Sequence, residues 1–347
     1  MEKYIIIEDN GMDYHAGSKA RNDIDKIALD YGYTPLKVRK YKVTGAVNRI
    51  RQFLVVLYDW VKICMEIKKG SNLLIQFPLT FGQRYVRLYL SLIKKIRKVN
   101  VTTLIHDIHS IRGKDKTTSL DEIRFLKNSD YIICHNDKMK NLLNEMTIEN
   151  QRIISLDIFD YISDFYAKKD IRDLKKSIII AGNLDENKSK YVYRLKELDN
   201  DLIFNLYGPN YKNMNQISNI IYHGQYQPEE LLNKLEGSFG LVWDGNEINT
   251  CSGNYGEYLK INNPHKTSLY LAAGIPVIVW DQSAVADFVQ KENIGICVSS
   301  LFDISESISN ISQEEYILML NNVSKISEKL KGGYYTKIAL DKTINNK

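Results

Sequence analysis

The residues with the strongest chemical signature in this 347-residue chain lie between Gly237 and Trp280. There the run GSFGLVWDG is followed by a polar insertion rich in Gly, Asn and Tyr, and then by NNPHKTSLYLAAGIPVIVW. Pro264 restricts the residue before it and suits a helix N-terminus, so His265, Lys266, Thr267 and Ser268 are expected to form a first helical turn. Unsatisfied N–H groups and the positive end of the helix dipole favour an anion at such a turn. Lys266 adds a charge, read here as an unpaired cation, and Thr267 or Ser268 adds a hydroxyl. The constellation suits a nucleotide diphosphate, with His265 and Asp244 counted beside it; an ordinary capped helix with a solvated lysine would have the same sequence.

A second anion site is expected at Ala181–Gly182–Asn183, directly after an apolar run. Gly182 lets a backbone approach a phosphate closely and Asn183 can hydrogen-bond it, although a simple strand-to-helix turn has the same composition. Tyr207 and Tyr226 end the next two apolar runs and could frame a flat base and its ribose. In the first half of the chain, Gly17 and Ser18 would open a helix after the loop that starts at Asp9. His106-Asp107-Ile108-His109-Ser110 follows another apolar run. A carboxylate between two imidazoles at a strand end is a candidate general base, so Asp107 and His106 are the catalytic candidates; helix capping is the alternative. No third ligand completes a metal site there.

The elements that must carry these loops alternate in type. Strands are expected at Tyr4–Ile7, Leu73–Phe77, Val101–Ile105, Tyr131–Cys134 and Ile153–Leu156, then at Ser177–Ala181, Leu202–Tyr207, Ile220–Tyr222, Gly240–Trp243, Pro276–Trp280 and Gly295–Val298. Helical periodicity fills most of the gaps, including Ala46–Lys68, Arg84–Arg97, Tyr191–Leu198, His265–Ala273 and Gln313–Leu330. Such alternation predicts parallel βαβ units. The expected fold is α/β: two doubly wound Rossmann-like domains facing a central cleft, divided as residues 1–165, 166–330 and a C-terminal helix in 331–347. Ligands then belong at the carboxyl ends of the strands.

Composition narrows the class. Four cysteines, Cys64, Cys134, Cys251 and Cys297, form no CxxC pair, which suits a reducing, cytoplasmic compartment. The N-terminal MEKYIIIEDN does not read as a signal peptide, and the apolar stretch Phe53–Met65 is too short to span a bilayer. The net charge of +5 divides into +7 for residues 1–165 and −2 for the remainder. Solvated helix faces account for that excess, or else a basic surface meets anionic lipid at the inner face of the plasma membrane. No nucleic-acid-binding motif accompanies the charge.

Gly237–Gly245, Lys266–Trp280, the NNPHK run at Asn262–Lys266 and the Ala-Gly-Ser-Lys run at Ala16–Lys19 together resemble a known bacterial family. It is the GT-B glycosyltransferase family of β-1,6-galactofuranosyltransferases and streptococcal glucosyltransferase 3. The resemblance implies a GT-B fold, with a UDP-sugar as substrate held mainly by the second domain and with no cofactor or metal. It places Asn183, Tyr255, Lys266 and Thr267 on the donor side and Gly17 and Ser18 on the first-domain loop. The two glutamates, eight residues apart, of retaining GT-B enzymes would fall near Ile261 and Leu269 and are absent, which favours inversion. The implied function is transfer of a hexose, galactofuranose before glucose, to a lipid-linked or protein-linked glycan acceptor, with homo-oligomerisation left open. A UDP-sugar 2-epimerase and a non-catalytic partner of another transferase are the rival readings.

Overall fold

A computed structural model of the chain describes residues 1–9, 16–39, 45–79, 83–113, 116–146, 152–164, 173–212 and 217–345. It divides into two compact units, one comprising Met1–Leu156 with Thr336–Lys347 and the other Asp157–Tyr335.

In the first unit the order is β1 (Lys3–Asp9), α1 (Ala16–Asp30), β2 (Thr34–Arg39), α2 (Ala46–Glu66), β3 (Asn72–Phe77), α3 (Gln83–Arg97), β4 (Asn100–Ile105), α4 (His109–Gly113), α5 (Lys116–Leu126), β5 (Tyr131–Cys134), α6 (Asp137–Glu145) and β6 (Arg152–Ser155). The strands pair in parallel in the order β2-β1-β3-β4-β5-β6. Every residue of β3 and β5 is buried, as expected when helices cover both faces of a parallel sheet. Strand β2 was not expected from the sequence. It is an edge strand in which only Leu36 and Val38 are buried, and Pro35 and Lys37 between them erase the apolar run.

The second unit runs β7 (Ser177–Ala181), a 3-10 helix at Lys190–Glu197, β8 (Ile203–Tyr207), β9 (Ile220–Tyr222), α7 (Pro228–Leu231), β10 (Phe239–Val242), α8 (Gly253–Tyr258) and α9 (His265–Ala272). It continues with β11 (Val277–Trp280), α10 (Ala286–Glu292), β12 (Gly295–Val298), a 3-10 turn at Leu301–Asp303, α11 (Ile304–Ser309), α12 (Gln313–Lys331) and α13 (Tyr334–Asn345). Its six strands are also parallel, ordered β12-β11-β10-β7-β8-β9. The expected helix at Tyr191–Leu198 is thus a 3-10 helix. The polar insertion after β10 hides the short α8.

From Thr336 onward, α13 belongs to the first unit. Ala339 and Leu340 are buried, and the Tyr31 hydroxyl bonds the Asp341 carboxylate.

In each sheet the chain winds outward one way from a first strand and then returns to build the other side. The reversal falls between β1 and β3 in the first unit and between β7 and β10 in the second. Crevices at the carboxyl ends of strands open at such switch points. In the second unit the packing there is tight. Gly240 on β10 lies under the Tyr270 ring of α9, where an added Cβ would come within 2.2 Å of Cγ. Overpacking of that kind costs about 1–3 kcal/mol.

Candidate functional site

The second unit's switch point is spanned by one helix. Tyr270 of α9 accepts a hydrogen bond on its hydroxyl oxygen from the Ala181 backbone N–H at 2.7 Å, at the end of β7. Near the other end of α9, Lys266 Nζ donates to the Trp243 carbonyl at 2.8 Å and to Asp244 Oδ1 at 3.0 Å, both just beyond β10. The start of α9 follows Pro264, which occupies the N-cap position without a side-chain cap. The segment 157–161 supports it: Asn263 Nδ2 donates to the Asp157 carbonyl at 2.8 Å, Ser268 Oγ to the Phe159 carbonyl at 2.6 Å, and the His265 ring lies 5.5 Å from that of Tyr161.

Lys266 is therefore not the unpaired cation read from the sequence. A lysine in a first helical turn opposes the dipole, and the Asp244 carboxylate, itself mostly buried, offsets that penalty. Two of the ammonium's three donors are engaged. The hydroxyls differ from expectation as well. Ser268 spends its hydroxyl on Phe159, and Thr267 is fully buried, its Oγ1 lacking a partner among the described residues.

The loop after β7 is shaped by close backbone approach. Gly182 N–H donates to the Tyr207 carbonyl at 2.9 Å, and Gly208 N–H to the Gly224 carbonyl at 2.8 Å. Gly208 has φ near +139°, and a Cβ there would stand 1.8 Å from the Gly182 oxygen, so only glycine fits. Asn183 Oδ1 accepts from the Asp185 N–H at 3.0 Å and from Asn210 Nδ2 at 2.9 Å, tying the loops after β7 and β8 together. Its own Nδ2 is the atom suited to donating to an anion. Tyr207 is a core residue rather than a platform for a base. Its ring stacks on His223 at 4.6 Å, its hydroxyl donates to the Lys234 carbonyl, and burial pushes that hydroxyl up to about 12. Tyr226 and Tyr255 keep about a third of their surface exposed, Tyr255 with Lys188 Nζ 5.7 Å from its ring centroid.

At the first unit's switch point, Gln76 on β3 organises the polar groups. Gln76 Nε2 donates to Asp25 Oδ1 at 2.7 Å and to the Arg21 carbonyl at 3.3 Å. With Nε2 facing two acceptors, Oε1 must face His106 Nε2, 2.6 Å away. The His106 Nε2 therefore carries the proton, and Nδ1 is the basic nitrogen of the neutral ring. Burial pushes the Asp25 carboxyl up to about 7, against the pull of Arg21 and Gln76. Glu8, Arg21, Asn22, Asp25 and Gln76 line a small cleft with Ile6 and Leu79 as apolar walls.

Asp107 sits one residue on, its Oδ2 accepting from Arg112 at 3.0 Å. His109 does not flank it as a second imidazole of the site. It starts α4, where the His109 and Ser110 N–H groups are capped by Glu122. His135, directly after β5, is buried and held neutral, its imidazole pushed down to about 4 by burial against hydrogen bonding to the His106 and Ile105 backbone. Ser18, half-buried, and Gly17 open α1; the loop before them, residues 10–15 including Asp13, lies outside the described residues. Asp25, Gln76 and His135 were not singled out from the sequence. Their only signal is position: Gln76 and His135 lie at or beside strand ends, and Asp25 sits on α1 among other charged residues.

No three His, Cys, Asp or Glu side chains among the described residues are grouped to hold a metal ion. The Asp-x-Asp triplet Asp23–Ile24–Asp25 lies within α1, where a spacing of two turns the carboxylates to different sides. Asp23 pairs with Lys19, and Asp25 bonds Gln76.

Residues 3–158 match the glucosyltransferase 3-like N-terminal domain, and residues 178–343 match the C-terminal domain of the same family. The chain belongs to the glucosyltransferase 3-like family. It is 33% identical over 334 residues to the beta-1,6-galactofuranosyltransferase WbbI of Escherichia coli strain K12, covering 95% of each chain. It is 27% identical to glucosyltransferase 3 of Streptococcus gordonii, covering 92% of each. Among solved structures, the apo lipopolysaccharide outer core galactosyltransferase WaaB matches with a TM-score of 0.63 at 11% identity, covering 100% of this chain and 99% of that one. Sucrose-phosphate synthase from Thermosynechococcus elongatus matches equally well, at 0.63 and 11%, covering 99% and 98%. The two-domain GT-B fold and the family resemblance read from the sequence are borne out, and this member of the glucosyltransferase 3-like family is a glycosyltransferase.

Two outcomes follow from the geometry. Lys266→Met strands a mostly buried Asp244 carboxylate and should lower unfolding free energy by about 1–3 kcal/mol. Adding Asp244→Asn should return part of that loss. Urea denaturation of the three variants measures it; a Lys266→Met protein as stable as wild type would show that the pair holds nothing.

The second outcome concerns pH. A carboxyl raised from 3.8 to about 7 binds its proton more tightly in the folded state, so its contribution to stability is present at low pH and lost as pH rises toward and through 7. Asp25→Asn removes that loss. Its stability relative to wild type should grow between pH 5 and pH 8 by on the order of 2–4 kcal/mol. His135 titrates in the opposite sense, its contribution lost as pH falls from 6.5 toward about 4, and it is common to both proteins. A constant difference across that range would show that Asp25 ionises normally.

Proposed function

We propose that this chain is an inverting, metal-independent glycosyltransferase that moves a hexose, galactofuranose in preference to glucose, from a UDP-sugar to a glycan acceptor. The observation that carries the donor reading is the tethering of α9 across the second unit's switch point, which holds an ammonium and a helix N-terminus at one place. The 33% identity to a protein named a beta-1,6-galactofuranosyltransferase supports the sugar, and the absence of a glutamate at Ile261 and Leu269 supports inversion. The acceptor is a lipid-linked or protein-linked glycan of cell-surface polysaccharide or glycoprotein synthesis, met on the cytoplasmic side, where UDP-sugars are made.

The chemistry is one displacement. The acceptor hydroxyl loses its proton to the Asp107 carboxylate, or to His106 Nδ1, as its oxygen attacks the anomeric carbon from the face opposite the diphosphate. The bond from that carbon to the diphosphate oxygen breaks, and its electron pair leaves with UDP. The remaining N–H of Lys266 and the Asn183 amide would stabilise the growing negative charge; preorganised donors of this kind are commonly worth about 3–4 kcal/mol each. Arg112 positions the Asp107 carboxylate, donating to its Oδ2 at 3.0 Å. Tyr255 is the exposed aromatic ring suited to packing on the nucleotide, and Asp244 and His265 act by holding Lys266 and the helix start.

Incubation with UDP-galactofuranose or UDP-glucose and simple glycoside acceptors in EDTA should yield UDP and a β-linked product in an acceptor-dependent manner. Product NMR reads the configuration. An α linkage, or activity that returns only with Mn²⁺ or Mg²⁺, overturns the mechanism, and acceptor-independent release of UDP would point to an epimerase.

Asp107→Asn should slow turnover by about 10²–10⁴-fold while leaving the affinity for UDP nearly intact. A near-normal rate together with a slow His106→Ala variant would move the base to the imidazole.

A further inference from the structure

Residues 46–98 carry eleven Lys and Arg against two acids, a net +9 in a chain whose total is +5. Helices α2 and α3 make up most of this segment, and each buries one side in the usual way: Val56, Trp60 and Ile63 of α2, and Val86, Leu90 and Ile93 of α3. The outward side of a surface helix is normally polar. Here it is not. Ile50, Leu54, Tyr58, Val61 and Met65 form a second stripe along α2, each 43–66% exposed. Tyr85, Leu88, Leu92 and Ile96 do the same along α3, each 45–62% exposed. Both spacings, three or four residues apart, keep the side chains on one helix face.

The two stripes lie side by side. The Phe53 and Tyr85 rings are 5.1 Å apart, Trp60 stacks on Tyr89 at 6.2 Å, and Arg97 donates to the Cys64 and Met65 carbonyls, both at 3.3 Å. The helices therefore run parallel, with Phe53 level with Tyr85 and Cys64 and Met65 level with Arg97. Contiguous exposed apolar surface of this kind marks an interaction site. Arg49, Arg51 and Lys62 lie on α2, with Arg87 and Lys95 on α3. The acids of the pair are Asp59, buried against Arg39, and Glu66, paired with Lys62; α3 has none.

We propose that the α2–α3 face of the first unit docks on an anionic phospholipid bilayer, its apolar stripes entering the headgroup region and its cations meeting lipid phosphates. Charge decides the occupant. An isologous contact with a second copy would set the same cations against each other, whereas an anionic leaflet complements them. No described helix is long and apolar enough to cross a membrane, so contact of this type lies on the surface, about 5–10 Å deep. The inference does not depend on the donor sugar or on the identity of the base.

Co-sedimentation of the intact chain with vesicles tests it. The protein should pellet with phosphatidylcholine vesicles containing roughly one-third phosphatidylglycerol, pellet poorly with phosphatidylcholine alone, and be released by high salt. Leu88→Asp with Leu92→Asp should weaken binding at least about tenfold. Arg51→Glu with Lys95→Glu, at exposed positions that bear no packing, should do the same and keeps the test decisive should the first pair unfold. Retention of either folded variant on the anionic vesicles as in wild type overturns the proposal. So does a wild-type chain that ignores those vesicles but sediments as a dimer split by the aspartates, which would assign the face to a second copy.

Discussion

The second unit depends on one helix being held at both sides of a topological reversal. Parallel strands leave the switch point open because the chain leads from β7 toward β8 on one side and from β10 toward β11 on the other. Tyr270 closes the β7 side of α9 by accepting the Ala181 N–H, and Lys266 closes the β10 side through Trp243 and Asp244. Both bonds require the helix to sit close to the sheet, which is possible because Gly240 offers no side chain beneath Tyr270. A glycine in the strand, a tyrosine in the helix and a lysine at its start are thus parts of one arrangement. Burial keeps it rigid: the whole of β10 and all but the first two residues of α9 are buried.

The first unit solves the equivalent problem with polar groups. Gln76 joins α1 to the end of β4 through Asp25 and His106, and because an amide has one accepting and one donating end, it fixes which ring nitrogen of His106 is protonated. The same carboxyl is raised by burial to about 7, whereas His135 nearby is held neutral. Groups of opposite charge type are therefore both biased toward their uncharged forms.

The strands were legible because buried parallel strands are short apolar runs, as in Ser177–Ala181 and Tyr131–Cys134. Edge strand β2 was not, since four of its six residues face water. The helix start at Pro264 could be read locally, but the partner of Lys266 could not: Asp244 is 22 residues away and reaches it only once β10 and α9 are packed. Tyr207 failed for a related reason. A tyrosine at a strand end reads alike whether its ring faces a ligand or, as here, stacks on His223 inside the core. Composition revealed the excess of cations in the first half, but only the packing of α2 beside α3 shows that the apolar side chains between those cations form one face.

Helix α13 imposes an order of events on synthesis. From Thr336 onward it completes the first unit, burying Leu340 and bringing Asp341 to Tyr31. The ribosome makes those residues only after all of Asp157–Tyr335. At about 5–20 residues per second, the emerging amino-terminal half waits roughly ten to forty seconds for its last helix. During that interval the surface later covered by Leu340 stands open, while the second half already has its complete sequence. The part of the protein translated first is thus the part finished last, and nascent-chain chaperones would meet it incomplete.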